Sequence, residues 1–417
     1  MSPATDRLLA FARAGHALPD SVVADTRRLV RDTLAVGCAG ASAPGAEAVL
    51  AVARRMGVGV EVPLLGTAER LPAPAAAFVN GFRIHALEWD AVHEPAVVHA
   101  LSVVTAAVHA VAHRQGGLSA DEALLAVAIG VEIASLLGEA ATTPLTFFRP
   151  ATAGVMGASV AAARLMGADP ADALGFALAQ AAGTMQAHVE GSVALAVQVG
   201  LAARAAVTAA DLATQGLRAP RDAIEGPYGY LALFDRGELG PQTGQLGGRW
   251  RIAEVSVKPW PCGRASHGVL GALALCPGAR RIEARVPPLV ARLVGRPWHD
   301  GMSPAWARLC LPFLIACLRA DGHVDPRRFT AVHVADPAFR RLADDFTLAI
   351  DDNPDPNALV PQTVVLDDKP IRLEALPGSP ANPLSPEAAA AKEALALSLA
   401  PEPHPFDPDA MLQGRHP

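Results

Sequence analysis

The hydrophobic pattern of this chain changes character once, near residue 240. From residue 20 to about 217, apolar side chains recur at three- and four-residue spacing between short breaks, as helices with a buried face require. The stretch "PDSVVADTRRLVRDTLAVGCAGA" carries Val22, Val23, Leu29, Leu34 and Val36, opens near an acid and closes on glycine. "SADEALLAVAIGVEIASLLGEA" offers Ser119 as N-cap and acids in its first turn, and "ADPADALGFALAQAAG" sets Asp169 before Pro170 as cap and first helical residue. These signals predict successive helices.

A Gly-rich connector, "GPQTGQLGGRW" at 240–250, ends that regime. "RIAEVSVKPW" then alternates apolar and polar residues as a strand does, and "RIEARVPPLVARLVG", "FTAVHVADPAF" and "ALVPQTVVLDDKPIRLEAL" read as further strands. "GRASHGVLGALALC" and "SPAWARLCLPFLIACLRADG" read as helices. "PGSPANPLSPEAAAAKEALALSLA" turns on prolines into a helix capped by Ser385, and the Pro-rich end reads as frayed. The expected fold class is mainly α: a large all-helical core domain from 1–245 with 377–417, and a smaller α+β lid domain over 250–376.

Length supports two domains, since 417 residues exceed the roughly 250–300 at which single cores stop growing. With 51% hydrophobic but only 5% aromatic residues, the interior must be mainly Ala, Leu and Val, which suits close helix packing. A net charge of -6 without a basic run argues against nucleic acid as a partner. Five cysteines without a CxxC pair indicate neither a disulfide framework nor structural zinc, and fit a reducing, cytoplasmic setting. The first residues lack a basic segment followed by an apolar one. The Ala-rich run 193–216 carries Gln198, Arg204 and Asp211, so a buried helix and no membrane span is expected.

Against this background the stretch "RIHALEWDAVHEPAVVHA" at 83–100 stands out, for it gathers His85, Glu88, Asp90, His93, Glu94 and His99. Helix caps and surface ion pairs would be the plain explanation. Its position between two apolar segments instead points to a cleft where burial and neighbouring charges tune groups for acid–base work. No HExxH spacing is present, and no metal is expected. A second cluster, "VKPWPCGRASHGVL" at 257–270, sets Lys258, Arg264 and His267 at a strand-to-helix turn, suited to a carboxylate or a developing oxyanion. Lys258 is one of only three lysines, with Lys369 and Lys392. Cys262, among prolines, reads as packing. No GxGxxG, Walker loop or nucleophile elbow stands between a strand and a helix.

The collinear order of "FVNGFRIHALEWDAVHEPAVVH", "FRPATAGVMGASVAAARLMGADPADALGFALAQAAGTMQAHVEGS", "GLAARAAVTAADLATQGLRAPRDAIEG", "VKPWPCGRASH" and "PGSPANPLSPEAAAAKEALALS" resembles the MmgE/PrpD superfamily. That superfamily includes 2-methylcitrate dehydratase, cis-aconitate decarboxylase and iminodisuccinate epimerase. The resemblance implies a helical domain with an α+β lid, a homodimer, and a cleft between the domains that handles a small-molecule carboxylate without metal or organic cofactor. Asp90 and His99 match the family's H-x-L-D-F-D-D-T…H-P motif, whereas Glu88, Ala91, Val92 and Ala100 depart from it. Leu195 and Gln198 stand where the family carries K-x-x-H, "FFR" at 147–149 where it opens with His, and Phe313 where it has Tyr. Lys258, Cys262, Arg264 and His267 match.

These departures share a direction, toward a pocket less charged than a tricarboxylate needs. The resemblance then implies a lyase of hydro-lyase type acting on a less charged carboxylate or carbonyl compound. An isomerase, epimerase or cyclase, or a silent binding dimer, are the alternatives. His99 and His267 are expected to face one cleft as base and acid. Asp90 would orient His99, and Glu88 would be a second carboxylate base. Lys258 and Arg264 would hold the anionic end, with His93, Arg149 and His188 as further substrate contacts.

Overall fold

The structure, a computed structural model, describes residues 2–355, 357–402 and 405–415. Its centre is a stack of the helices Ala73–His85, Ala100–Arg114, Ala120–Ala140, Arg149–Leu165 and Ala194–Thr214. The predicted starts hold: Ser119 and Glu122 form a reciprocal capping box, and Asp169 accepts the N–H of Ala171 ahead of Pro170. Small residues let these helices approach closely. A Cβ on Gly157 would meet the Gly130 carbonyl at 2.1 Å, and one on Gly200 the Phe78 carbonyl at 2.3 Å, so any side chain there forces the helices apart.

A second apolar cluster, drawn mostly from 262–376, surrounds a four-stranded sheet. Its order is Phe346–Ile350, Ile282–Val286, Gln362–Leu366, Lys369–Leu373; Ile282 pairs with Phe346 in parallel and with Leu366 antiparallel. Helix His267–Leu275 packs on the Gln362–Leu366 strand and on helix Leu311–Asp321. The chain then returns: Ser385 caps helix Pro386–Ser398, which lies on helix Asp20–Ala39 and ties Lys392 to Asp32 at 2.6 Å. The protein is thus mainly α with a small α+β part.

Two expected strands are not strands. "RIAEVSVKPW" contains a 3-10 turn, Arg251–Glu254, because the buried Arg251 is held by Glu132 at 2.5 Å and Glu139 at 2.8 Å; only one bridge, Val92 to Ser256, survives from the alternation. "FTAVHVADPAF" folds as two short helices, Ala331–Ala335 and Pro337–Arg341, since Thr330 and Asp336 cap them. Cap chemistry there outweighs β-branched alternation. The strand Phe346–Ile350 carried no comparable signal.

Among the described residues, two helices are long and apolar enough to cross a membrane, Ala120–Ala140 and Ala194–Thr214. Of their most apolar windows 89% and 61% are buried within the protein, so packing accounts for most of that hydropathy. The less buried one leaves Leu201 exposed.

Candidate active site

The loop between helices Ala73–His85 and Ala100–Arg114 carries the first polar cluster and bends sharply. Glu88 and Val97 both adopt left-handed backbone (φ 53° each), a conformation that costs non-glycine residues energy, most of all a β-branched one. The bend turns Asp90 fully inward. One of its oxygens, Oδ2, accepts from the Ser102 hydroxyl, is hydrogen-bonded to His85 Nδ1 at 2.8 Å, and lies 3.1 Å from His99 Nδ1, an ion-pair approach without hydrogen-bond alignment. The other oxygen lies 3.8 Å from the Lys258 ammonium. Lys258 donates to the Glu88 carbonyl at 3.0 Å and to its carboxylate at 3.1 Å. His85 Nε2 is 3.3 Å from the other Glu88 oxygen, an ion-pair approach without hydrogen-bond alignment.

The two imidazoles flanking Asp90 are driven apart electrostatically. Burial opposes charge on His85, but the Asp90 and Glu88 carboxylates outweigh it and raise its pKa to about 10. His99 pairs with one carboxylate, Asp90, while its ring meets that of His85 edge-on, and burial, with Lys258 and His85 nearby, lowers its pKa below the ordinary value. One ring is a fixed imidazolium and the other a neutral base at neutral pH. Both carboxylates are ionised: burial opposes this, but Lys258 and His85 hold Glu88, and His85 and His99 hold Asp90, well below the usual carboxylate range. With Nδ1 of His99 turned to Asp90, Nε2 is the nitrogen available to substrate, the arrangement of a base oriented by a carboxylate.

A cleft opens in front of this cluster, lined by His85, Glu88 and His99 on one side and by Arg264, Leu293 and Leu309 of the α+β part on the other. Val92 and Leu195 also line it, so two of the positions that depart from the family motifs toward apolar residues do face it. A second chamber adjoins and shares His85, Glu88 and Leu195. Phe313 is elsewhere, buried against Trp298, Phe329 and Phe339. Gln198 accepts the Thr184 N–H at 2.7 Å.

Several expected placements need correction. His267 does not face His99. Its ring is fully buried beneath Trp260 at 5.4 Å, 3.4 Å from Cys262 Sγ, and burial with Arg264 and Lys258 nearby holds it neutral. The 3-10 turn Arg264–Ser266, inserted ahead of the helix, sets that orientation. His93 is also outside the cavity, buried near Glu254 at 3.4 Å and Glu139 at 3.7 Å. Arg149 lines the cavity, but its guanidinium is held by Asp235 at 3.2 Å and the Thr143 carbonyl at 3.0 Å. Arg264 lines it too, and is likewise engaged, with Glu94 at 2.7 Å and the Pro377 carbonyl at 2.6 Å. His188 lines it with Nδ1 accepting from Arg296 at 3.0 Å; burial, then Arg296, push its pKa down to about 4. Burial lifts the Cys262 thiol to about 12, which removes it as a nucleophile.

Three groups are not singled out by the sequence: His85, one of several titratable residues in its stretch; Ser102, three residues past His99; and Arg308, which has no local signal. A metal was not expected, yet His85, Asp90 and His99 bring ligand atoms within 4.8 Å of one another, as do His93, Glu139 and Glu254. In the first set the Ser102 proton and the Lys258 charge already face Asp90, which favours a proton-sharing cluster over a cation.

Residues 12–242 match the MmgE/PrpD N-terminal domain. The chain is similar to cis-aconitate decarboxylase-like protein oryM of Aspergillus oryzae, 31% identical over 277 residues, 61% of this chain and 57% of that protein. It is 28% identical to the cis-aconitate decarboxylase of Aspergillus terreus over 294 residues, 66% of this chain and 59% of that one. Against the cis-aconitate decarboxylase of Homo sapiens it is 26% identical over 356 residues, covering 79% and 72%. The chain therefore spans less than two thirds of the length of the two fungal relatives. With that domain matched over more than half of its residues, the chain belongs to the MmgE/PrpD family.

Proposed function

We propose that this protein is a cofactor-independent acid–base lyase acting on a small carboxylate less charged than a tricarboxylate. The observation that carries the reading is the Asp90 carboxylate shared between a charged His85 and a neutral His99 at the wall of a cavity. His99 takes a proton from the carbon next to the substrate's carboxylate or carbonyl, and Asp90 stabilises the imidazolium that forms. The fixed charges of His85 and Lys258 stabilise negative charge as it develops on the substrate. Elimination of water passes through such a carbanion-like state, with the proton taken up by His99 returned to the departing hydroxide, and loss of carbon dioxide leaves a like carbanion that a proton must quench. The named activity of the curated relatives supports a lyase, and hydro-lyase chemistry is the form proposed here.

The convergence of Asp90, His99 and Lys258 favours an enzyme over a silent binding dimer. The test is proton NMR in D2O of purified protein with a panel of mono-, di- and tricarboxylates. A lyase introduces deuterium or an alkene into one of the smaller acids, and His99→Gln abolishes it. Unchanged turnover in that variant would remove His99 as the base.

A further inference from the structure

Of the arginines around the first cavity, Arg264 has Glu94 and Arg149 has Asp235, while Arg296 donates to the His188 ring and keeps Nη1 without a hydrogen-bond partner. Arg308 has no side-chain partner of that kind and faces the second chamber. It follows the short helix Pro304–Ala307, is 3% exposed, and lines the second chamber. Its Nε is buried without a hydrogen-bond partner, and among the described residues no acidic side chain lies within ion-pair distance of it. One face rests on the Phe329 ring, with Cζ 4.6 Å from the centroid. Burial lowers its pKa only to about 10, so it stays charged at neutral pH. A buried cation without a counter-charge is costly, and an incoming anion offsets that cost.

The opposite wall of the chamber complements it. Gly191, Ser192 and Val193 lead into the 21-residue helix Ala194–Thr214, whose positive end faces the same space. The Ser192 oxygen accepts the Ala194 N–H at 3.2 Å, which leaves its hydroxyl proton to donate. His85 and Glu88 also face the chamber, and Glu88 is answered by Lys258 and His85. His85, Lys258 and Arg308 outnumber Glu88 and Asp90 by one positive charge, and Arg296 near Glu88 adds another without an acidic partner.

We propose that the second chamber is a carboxylate-binding subsite in which Arg308, the Ser192 hydroxyl and the positive end of helix Ala194–Thr214 hold one carboxylate. This rests on the reading of the protein as a carboxylate lyase and names the substrate's anchoring group. Because Leu195, Glu88 and His85 border both chambers, a molecule held there reaches the wall that carries His99. Leu195 supplies no charge from the helix, and Arg308 supplies it from the α+β part. A bound carboxylate therefore bridges the two parts of the protein.

Succinate is the probe, titrated by calorimetry at constant ionic strength into wild type, Arg308→Gln, Arg308→Lys and His99→Gln. Wild type and His99→Gln should bind alike, Arg308→Gln should bind at least tenfold more weakly, and Arg308→Lys should recover part of the loss. The melting temperature without succinate should hold or rise in Arg308→Gln, since an uncompensated buried charge has been removed, whereas a purely structural arginine would lower it. Equal binding by wild type and Arg308→Gln, or no binding by wild type, overturns the subsite. Turnover surviving His99→Gln while succinate binding still depends on Arg308 would sink the lyase mechanism and leave the subsite standing.

Discussion

His99 Nδ1 and Asp90 Oδ2 lie 3.1 Å apart, and the same oxygen receives His85 Nδ1 at 2.8 Å. One carboxylate thus orients a base and pins an imidazolium. Replacing His99 by Gln should lower turnover of the substrate, once found, by roughly two to four decades, the usual contribution of a positioned base. Thermal melting should hardly move, because His99 makes no other polar contact with a described residue. Steady-state rates and a melting curve on the same sample check both halves.

Stability should depend on pH through the same cluster. His85 binds its proton more tightly folded, up to about pH 10 against 6.5 unfolded, so its contribution is complete below 6.5 and lost as pH rises toward 10. Asp90 and Glu88 run the other way, contributing fully above their unfolded values of 3.8 and 4.5 and losing that contribution as pH falls. His188, neutral in the fold down to about 4, adds stability that fades as pH drops below 6.5. The urea midpoint should therefore decline from pH 7 to pH 10, and His85→Gln should flatten that decline. A flat wild-type profile would contradict the charged state assigned to His85.

Cis-aconitate and 2-methylcitrate should be poor substrates. Val92 and Leu195 line the cavity where the family motifs carry polar groups, and Arg264 and Arg149 are occupied by Glu94 and Asp235. Two missing charge-assisted contacts at about 1.5 to 3 kcal/mol each cost roughly two to four decades in kcat/KM. Conversion of either acid at about 10⁴ M⁻¹s⁻¹ or more, an ordinary enzymatic efficiency, would refute this. The activity found should also survive EDTA.

A homodimer is proposed on the family resemblance and on one surface. Val52 and Met56, at and just past the end of helix Ala46–Ala53, are exposed, as are Val193 and Leu201, and Arg204 reaches the Met56 sulfur. Exposed apolar side chains of this kind suit an isologous contact. Light scattering should return about twice the 43.0 kDa chain mass, and Leu201→Asp should shift it toward one.

What the sequence disclosed depended on how local the cause was. Ser119, Asp169 and Ser385 act on residues two or three positions away, so the helices they start were legible. Asp90 and His99 were legible because one loop delivers both. His267 was misplaced because its direction depends on a single 3-10 turn and on Trp260 stacking over it, neither of which spacing encodes. Arg308 sits in "AWARLCLPF", where nothing nearby hints that its charge is left alone; only the three-dimensional inventory of partners singles it out.

The account turns on two adjacent imidazoles being held in different charge states, and nitrogen-15 NMR of the labelled histidines reads this without a substrate. His85 should remain doubly protonated from neutral pH to about 10, while His99 should be neutral at pH 7 with its proton on Nδ1, each assigned by loss of its signal in His85→Gln and His99→Gln. Two rings titrating together near 6.5, or a His99 already cationic at pH 7, would contradict it.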